Sequence, residues 1–348
     1  MTRIAVVILN WNGRHYLEQY LPSVCSYSDL PETEIIVADN GSTDDSVQFI
    51  KENFPSVRLI EFSENHGFAM GYCKALSMID ATYYVLLNSD VEVTAGWLKP
   101  LYQAMEDNPE IGACMPKLLA HDQPGYFEYA GASGGYIDRF GYPFCRGRIL
   151  STIEKDKGQY DDFREVFWAS GACMFVRASA YRKAGGLDGE FFAHMEEIDL
   201  CWRMQRTGST VAVVPQSSVF HVGGGTLPNN TPRKLYLNYR NNLFLLFKNL
   251  PVFQLLPVIP LRMLLDGMSA MVYLMNGSGG FFVAVVRAHL AFQRRIPLLI
   301  QMRRQLKGTI RTGKIMAIYP GSIVFDYFIR RRRVFSQLDW RFRNSPSN

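Results

Sequence analysis

The order of short apolar runs in residues 1–118 restricts this chain to few folds. Residues 3–9, 34–38, 57–62, 83–87 and 111–118 read as strands. Helix-like segments separate them at residues 14–26, 43–53, 68–79 and 95–107, the second opened by Ser42 or Thr43 as N-cap. Alternation of this kind predicts an α/β domain with a mostly parallel central sheet and helices on both faces. Two of the strands run into acids, at Asp39-Asn40-Gly41-Ser42 and at Asn88-Ser89-Asp90. In an open α/β sheet, the carboxyl ends of the strands form the ligand crevice. One acid there can accept hydrogen bonds from a nucleotide's base or ribose, and the other can hold a divalent metal against phosphates.

Length and composition fit that picture. The 348 residues are 48% hydrophobic, enough for one sizeable α/β domain and an appendage, and too apolar for a disordered chain. The N-terminal residues enter a strand directly, so no signal peptide is read there. Six scattered cysteines without a Cys-x-x-Cys pair point to buried reduced thiols rather than a disulfide framework or a zinc site. The net charge of +5 is unevenly spread. Residues 251–348 carry 15 Lys and Arg against 3 Asp and Glu, net +12, leaving 22 against 29, net −7, for residues 1–250.

That asymmetry divides the chain into a catalytic-type domain over 1–250 and a basic, apolar helical tail over 251–348. Arginines cluster at 294–295, 303–304 and 330–333, and residues 268–286 carry no charge. Asn276-Gly277-Ser278-Gly279-Gly280 interrupts this stretch, which predicts two short interfacial helices rather than one full crossing. Basic residues beside apolar ones suit an anionic membrane surface better than nucleic acid. Ahead of the tail, residues 120–165 are rich in Gly and Tyr and read as short strands and a long loop. Residues 166–177 look strand-like, 195–207 helical with Gly208 closing the helix, 211–214 and 218–221 like two short strands, and 232–250 helical.

Further side chains gather at predicted element ends. Asn10-Trp11-Asn12-Gly13 follows the first strand, where exposed backbone N–H groups can meet a nucleotide, although a plain βα turn reads the same. Asn65-His66-Gly67 precedes the third helix, whose N-terminus favours phosphate, yet the spacing matches neither a dinucleotide fingerprint nor a P-loop. His221, followed by Gly223-Gly224-Gly225, is a second metal-ligand candidate beside Asp90. Glu196-Glu197-Ile198-Asp199 opens a helix. Three acids there complement the helix dipole, and they also suit a general base that takes a proton from an attacking hydroxyl.

Taken in order, the motifs resemble those of the family 2 glycosyltransferases of the GT-A fold, in particular their bacterial rhamnosyltransferase-like branch. The matching residues are Val6-Val7-Ile8-Leu9-Asn10-Trp11-Asn12-Gly13, Asp39-Asn40-Gly41-Ser42, Asn65-x-Gly67-Phe68, Leu86-Leu87-Asn88-Ser89-Asp90, Ser170-Gly171-Ala172, Glu196-Glu197-x-Asp199-Leu200 and Tyr239-Arg240-Asn241. The resemblance implies an inverting, single-displacement transferase that moves a hexose or deoxyhexose, such as rhamnose, onto a lipid-linked or polysaccharide acceptor in cell-surface glycan synthesis. The donor would be a dTDP-, UDP- or GDP-sugar. By the same resemblance, Asp39 binds the base, with Asn10, Asn12, Asn65, Gly67 and Asn88 around the donor. Asp90 and His221 attend Mg2+ or Mn2+, the base is Glu197, Glu196 or Asp199, and Arg240 helps neutralise the leaving group. The expected location is cytoplasmic, peripheral at the inner face of the membrane. Asn88 stands where the family often has Asp, and Glu197 where it commonly has Asp. These departures motivate a second reading, a catalytically silent membrane-associated assembly subunit. A nucleotidyltransferase is less suited, because Asn10-Trp11-Asn12-Gly13-Arg14 is not the Gly-rich basic loop that chemistry uses.

Overall fold

In the computed structural model the described residues are 3–223, 230–307, 318–338 and 340. The first strand, β1 (Ile4–Asn10), is apolar and buried along nearly its whole length, as expected of a strand covered on both faces. The chain then alternates through α1 (Arg14–Tyr27), β2 (Thr33–Asp39), α2 (Ser46–Asn53), β3 (Arg58–Glu61), α3 (Phe68–Ser77), β4 (Tyr83–Asn88), β5 (Val91–Val93), α4 (Leu98–Asp107) and β6 (Ile111–Ala120). Next come β7 (Gly135–Ile137), β8 (Pro143–Cys145), β9 (Arg148–Ile149), β10 (Thr152–Ile153), β11 (Arg164–Glu165) and β12 (Cys173–Arg177). The remaining elements are α5 (Ala178–Lys183), α6 (Glu196–Arg206), β13 (Thr210–His221), α7 (Pro232–Asn249), α8 (Val252–Met275), α9 (Gly279–Lys307) and α10 (Ile323–Phe328).

The central sheet has nine strands in the order β11-β13-β6-β12-β4-β1-β2-β3, with β5 on β13. β1, β2, β3 and β4 run parallel, and β12 lies antiparallel between β4 and β6. Parallel pairing in register places Asn10 beside Asp39 and Leu9 beside Asn88. Two sequence-distant motifs thereby reach one end of the sheet. A second sheet, β10-β9-β8-β7, forms from the Gly- and Tyr-rich stretch.

Four expectations need correction. Neither Ser42 nor Thr43 caps α2, which starts at Ser46 after Asp45; Ser42 Oγ is instead bonded to Asp39. Residues 166–172 are not strand, because the chain turns at Gly171 before β12 begins. The two strands expected at 211–214 and 218–221 are one, β13, with a register shift against β6 between Val214 and Ser218. Pro215, which reads as a terminator, is absorbed in that irregularity. The tail helices are long, not short: α8 has 24 residues and α9 has 29. They turn at Asn276-Gly277, and Gly277 takes φ +74°.

The last part of the tail returns to the body. Tyr319 bridges to Asp138, Phe335 N–H donates to Glu154, and Tyr327 Oη meets Ser151 and Thr152 on the second sheet. Trp340 packs edge-on against Tyr136 and Tyr319 and at a tilt against Phe144. Residues 308–317 and 341–348, which the tail was also expected to include, lie outside the described residues, as do Gly224 and Gly225.

Candidate active site

Three clusters meet at the carboxyl end of the parallel strands. The first joins the loops after β1 and β2. Asp39 is buried and accepts from Asn10 Nδ2 at 3.0 Å, Ser42 N at 2.9 Å and Ser42 Oγ at 2.6 Å. Asn12 N donates to Ser42 Oγ at 2.9 Å, and Asn12 Oδ1 accepts from Thr43 N at 2.7 Å. Asn65 Oδ1 accepts from Asn40 Nδ2 at 3.1 Å and from Gly67 N at 2.8 Å. Gly67 has φ +77°, and a Cβ there would lie 2.5 Å from the Phe192 ring, so only glycine fits without displacement. Asn10, Asn12 and Asp39 are thus tied together through Ser42, Asn65 is held separately by Asn40 and Gly67, and the Asp39 carboxylate retains acceptor capacity beyond its three partners.

The second cluster is ionic. Pairing of β5 with β13 sets Val91 opposite His221, bringing Asp90 Oδ1 to 3.2 Å from His221 Nε2. On the other edge of the ring, Nδ1 lies 3.3 Å from Glu128 Oε1. All three side chains are buried. Burial alone would depress the imidazole, but Glu128 and Asp90 outweigh it and push it up to about 10. Asn88 Nδ2 sits 3.5 Å from His221 Nε2, and Asn88 Oδ1 is buried with no hydrogen-bond partner among the described residues. Asp90 and the unpartnered Asn88 oxygen are hard oxygen donors that fit Mg2+ or Mn2+, and His221, held as an imidazolium by Asp90 and Glu128, would join them as a nitrogen ligand only on giving up its proton to the bound ion's charge. Among the described residues no three His, Cys, Asp or Glu side chains form a complete cage. An ion here would thus take other ligands from phosphate and water, as Mg2+ commonly does.

The third cluster is the acidic helix start. The loop leading into α6 holds Phe192, His194 and Met195 at φ +65°, +70° and +71°, conformations that cost non-glycine residues energy. Side chains from α7 hold them in place. Asn241 Nδ2 donates to the carbonyls of Phe191, Ala193 and His194 at 2.7–2.8 Å. Arg240 Nη2 donates to the carbonyls of Glu190 and Phe191, and its Nε donates to Asn241 Oδ1. The Arg240 guanidinium, expected at a leaving group, is engaged with this loop.

The three acids of α6 have different surroundings. Asp199, wholly buried, pairs with Arg203 Nε and Lys248 Nζ, each at 2.8 Å, and accepts from Asn249 Nδ2 at 2.7 Å. Burial would raise its carboxyl, but Arg203 and Lys248 prevail and hold it at about 2. Glu196 is buried, and desolvation with repulsion from Glu197 lifts it well above the carboxylate range. Glu197 is half-buried, yet its Oε2 is shielded and without a partner among the described residues; burial pushes this carboxyl up to about 7. Only Glu197 combines a free oxygen with a titration near neutrality.

Backbone contacts connect the three clusters. Asn88 N–H donates to Ala172 O at 2.9 Å. A Cβ on the adjacent Gly171 would lie 3.7 Å from Glu197 Cβ and 3.8 Å from the Phe68 ring. Ala69 N–H at the start of α3 donates to Phe192 O. Sequence reasoning missed Glu128 and the clamping role of Asn241. Glu128 sits in an aperiodic stretch, and its signal is a lone acid amid aromatics in Tyr126-Phe127-Glu128-Tyr129.

With this geometry in place, comparison with known proteins is informative. The family model described as glycosyl transferase family 2 matches residues 5–185. The chain belongs to that family and is a glycosyltransferase. It is 27% identical over 232 residues to an N-acetylglucosaminyl-diphospho-decaprenol L-rhamnosyltransferase of Mycobacterium tuberculosis, covering 63% of this chain and 75% of that one. It is 23% identical over 223 residues to the rhamnosyltransferase WbbL of Escherichia coli, covering 63% and 83%. Among solved structures, GalNAc-T7 with UDP, GalNAc and Mn2+ aligns at TM-score 0.54 and 14% identity over 71% of this chain and 48% of that one. S. aureus TarS in complex with UDP aligns at TM-score 0.51 and 14% identity over 88% of each. These likenesses support the GT-A fold expected from the sequence.

Proposed function

We propose that this enzyme transfers a hexose or deoxyhexose, rhamnose being the leading candidate, from a nucleotide diphosphate to a lipid-linked or polysaccharide acceptor, with inversion at the anomeric carbon. The observation that carries the proposal is Glu197, whose shielded Oε2 lacks a partner among the described residues, whose carboxyl is pushed up to about 7 by burial, and whose Cβ lies against Gly171, next to the Ala172 carbonyl that Asn88 N–H binds. In the reaction, Glu197 takes the proton of the acceptor hydroxyl as that oxygen bonds to the anomeric carbon. The bond from the anomeric carbon to the phosphate oxygen breaks, and the nucleotide diphosphate departs with the electron pair. A divalent cation held by Asp90 and Asn88, with His221 as a further ligand once deprotonated, would supply positive charge to the departing diphosphate. Glu196, kept protonated, and Asp199, kept ionised by its cations, are positioning residues rather than bases.

Asp39 faces the nucleotide in this reading. An ionised carboxylate only accepts hydrogen bonds, so it favours bases that present a ring N–H, namely uracil, thymine or guanine, over adenine or cytosine. Asn10, Asn12 and Ser42 fix its orientation, and Asn65 and Gly67 shape the loop beside it. Arg240 acts through the 190–195 loop. The names of the two bacterial relatives support rhamnose as the sugar, the diphospho-decaprenol in the Mycobacterium tuberculosis name supports a lipid-linked acceptor, and such an acceptor would bring the enzyme to the inner face of the membrane.

A panel of dTDP-, UDP- and GDP-sugars with Mn2+, read by released nucleotide diphosphate, tests the proposal. Turnover is expected with one base type. No turnover, together with no calorimetric binding of any donor, would favour the silent assembly subunit.

A further inference from the structure

Helix α8 is amphipathic in the opposite sense to a soluble protein's surface helix. Its only charged residues, Arg262 and Asp266, are buried. They pair at 2.8 Å, and Arg262 also donates to Phe140 O at 3.1 Å, contacts Asn242 Oδ1, and lies 3.8 Å over the Tyr142 ring. His289 of α9 approaches Asp266 at 3.5 Å. The opposite stripe, at helical spacing, is exposed and apolar: Phe253 (75%), Leu256 (80%), Leu264 (62%), Met268 (59%), Met271 (50%) and Met275 (74%). An exposed apolar face this long marks an interaction site.

Charge identifies the occupant. Over Val252–Lys307 there are seven Lys and Arg and a single acid, the buried Asp266. Arg287, Arg294 and Arg304 of α9 are exposed, and Arg295, also exposed, reaches Glu190 of the body at 3.6 Å. A second copy packed by two-fold symmetry would set cationic hairpin against cationic hairpin. An anionic leaflet takes up the apolar stripe and neutralises the arginines together. Length alone would also allow a crossing, since 24 residues span about 36 Å against a bilayer core of about 30 Å. A crossing, however, would strip Arg262 and Asp266, near the helix midpoint, from Phe140, Asn242 and Tyr142 and expose them to acyl chains.

We infer that α8 lies in the plane of an anionic membrane leaflet, its Phe253–Met275 stripe in the interface and its Arg262–Asp266 face on the protein. This rests on the proposed membrane-borne acceptor and adds how the enzyme sits there.

The test uses the full chain with vesicles of phosphatidylcholine alone or equimolar with phosphatidylglycerol. Wild type should float with the anionic vesicles and be released by high salt. The variant carrying Leu264→Glu, Met268→Glu and Met271→Glu should partition more than about tenfold less while keeping turnover of the sugar nucleotide in solution. Separately, tryptophans introduced by Leu256→Trp, Leu264→Trp or Met275→Trp should be quenched alike by lipids brominated at shallow acyl positions. A deep Leu264→Trp flanked by shallow ends would mean a crossing and overturn the inference. So would unchanged flotation of the triple variant, or a wild-type dimer that fails to float and that the triple substitution makes monomeric. A wild type that floats but turns over no donor leaves the docking intact and counts against the proposed activity instead.

Discussion

Replacing Glu197 by Gln tests the chemistry most directly. Burial places this carboxyl at about 7 instead of the usual 4.5. A base must be ionised to accept the proton, so transfer should rise with pH through about 7 and level off about one unit above. At one unit below, about a tenth of the molecules carry the working form, a tenfold loss. The same shift makes Glu197 a stronger base than an ordinary glutamate, and a positioned base contributes about 10²- to 10⁴-fold. Glu197→Gln should therefore lower kcat/KM by about that factor and abolish the acidic limb, with circular dichroism unchanged. Glu196 provides the contrast. Its carboxyl is held protonated, a form that Gln imitates in shape and in donating a hydrogen bond, so Glu196→Gln should cost only about threefold or less, well short of what a working base supplies. The assay is released nucleotide diphosphate against pH for the three proteins. If Glu196→Gln were the dead variant, or if the limb near 7 persisted in Glu197→Gln, the assignment of the base would be refuted.

Other consequences can be measured alongside. Chelation should abolish transfer and Mn2+ or Mg2+ restore it, whereas Asp90→Ala should stay inactive at saturating ion; full activity in excess chelator would refute the role of Asp90. Asp199→Asn removes the carboxylate paired with the buried Arg203 and one of the two paired with Lys248, and should cost about 3–5 kcal/mol, read as a lowered Tm. Because the Asp199 carboxyl lies at about 2 rather than 3.8, its stabilisation of about 2 kcal/mol is present above pH 4 and is lost as pH falls through 2. Acid unfolding of Asp199→Asn should lack that component. Asn241→Ala releases three carbonyls of the strained loop and should lower kcat more than it raises KM; an unchanged kcat would dissociate the loop from catalysis.

How far the sequence reveals this site depends on what kind of signal each part carries. β1, β2 and β4 are visible because buried parallel strands are continuous apolar runs, and the register that sets Asn10 beside Asp39 follows from their pairing. The α6 acids are visible as residues but not as roles. What separates Glu197 from Asp199 is Arg203, one turn along α6, together with Lys248 and Asn249, about 50 positions away on α7. Ser42 reads as a helix cap because its hydroxyl has the right spacing, and only the fold shows that it is bonded to Asp39. Glu128 is hidden by an aperiodic loop, since its partner His221 is 93 positions distant and no local pattern connects them. The length of α8 escapes a reading by charge, because polar residues that would end an exposed apolar helix, Arg262 and Asp266, are turned inward and paired with each other.

The same inward-facing pair also ties the apolar hairpin to the candidate site. On α7, Asn241 holds the carbonyls that precede Glu196 and Glu197, and the adjacent Asn242 donates to Gly141 O and accepts from Arg262 of α8. Near the helix end, Lys248 binds Asp188 and Asp199 on the body, while the Phe247 and Lys248 carbonyls accept from Arg303 of α9. One rigid helix thus contacts the catalytic loop through one side chain and the apolar hairpin through the next. Docking of α8 on a leaflet would fix the orientation of α7, and with it the position of Glu197 relative to a lipid-borne hydroxyl. A soluble acceptor needs no such orientation. Substitution of the α8 stripe should therefore depress transfer to a lipid-linked acceptor in vesicles far more than transfer to a short-chain soluble analogue, and an equal loss with both acceptors would show that the hairpin serves the fold alone.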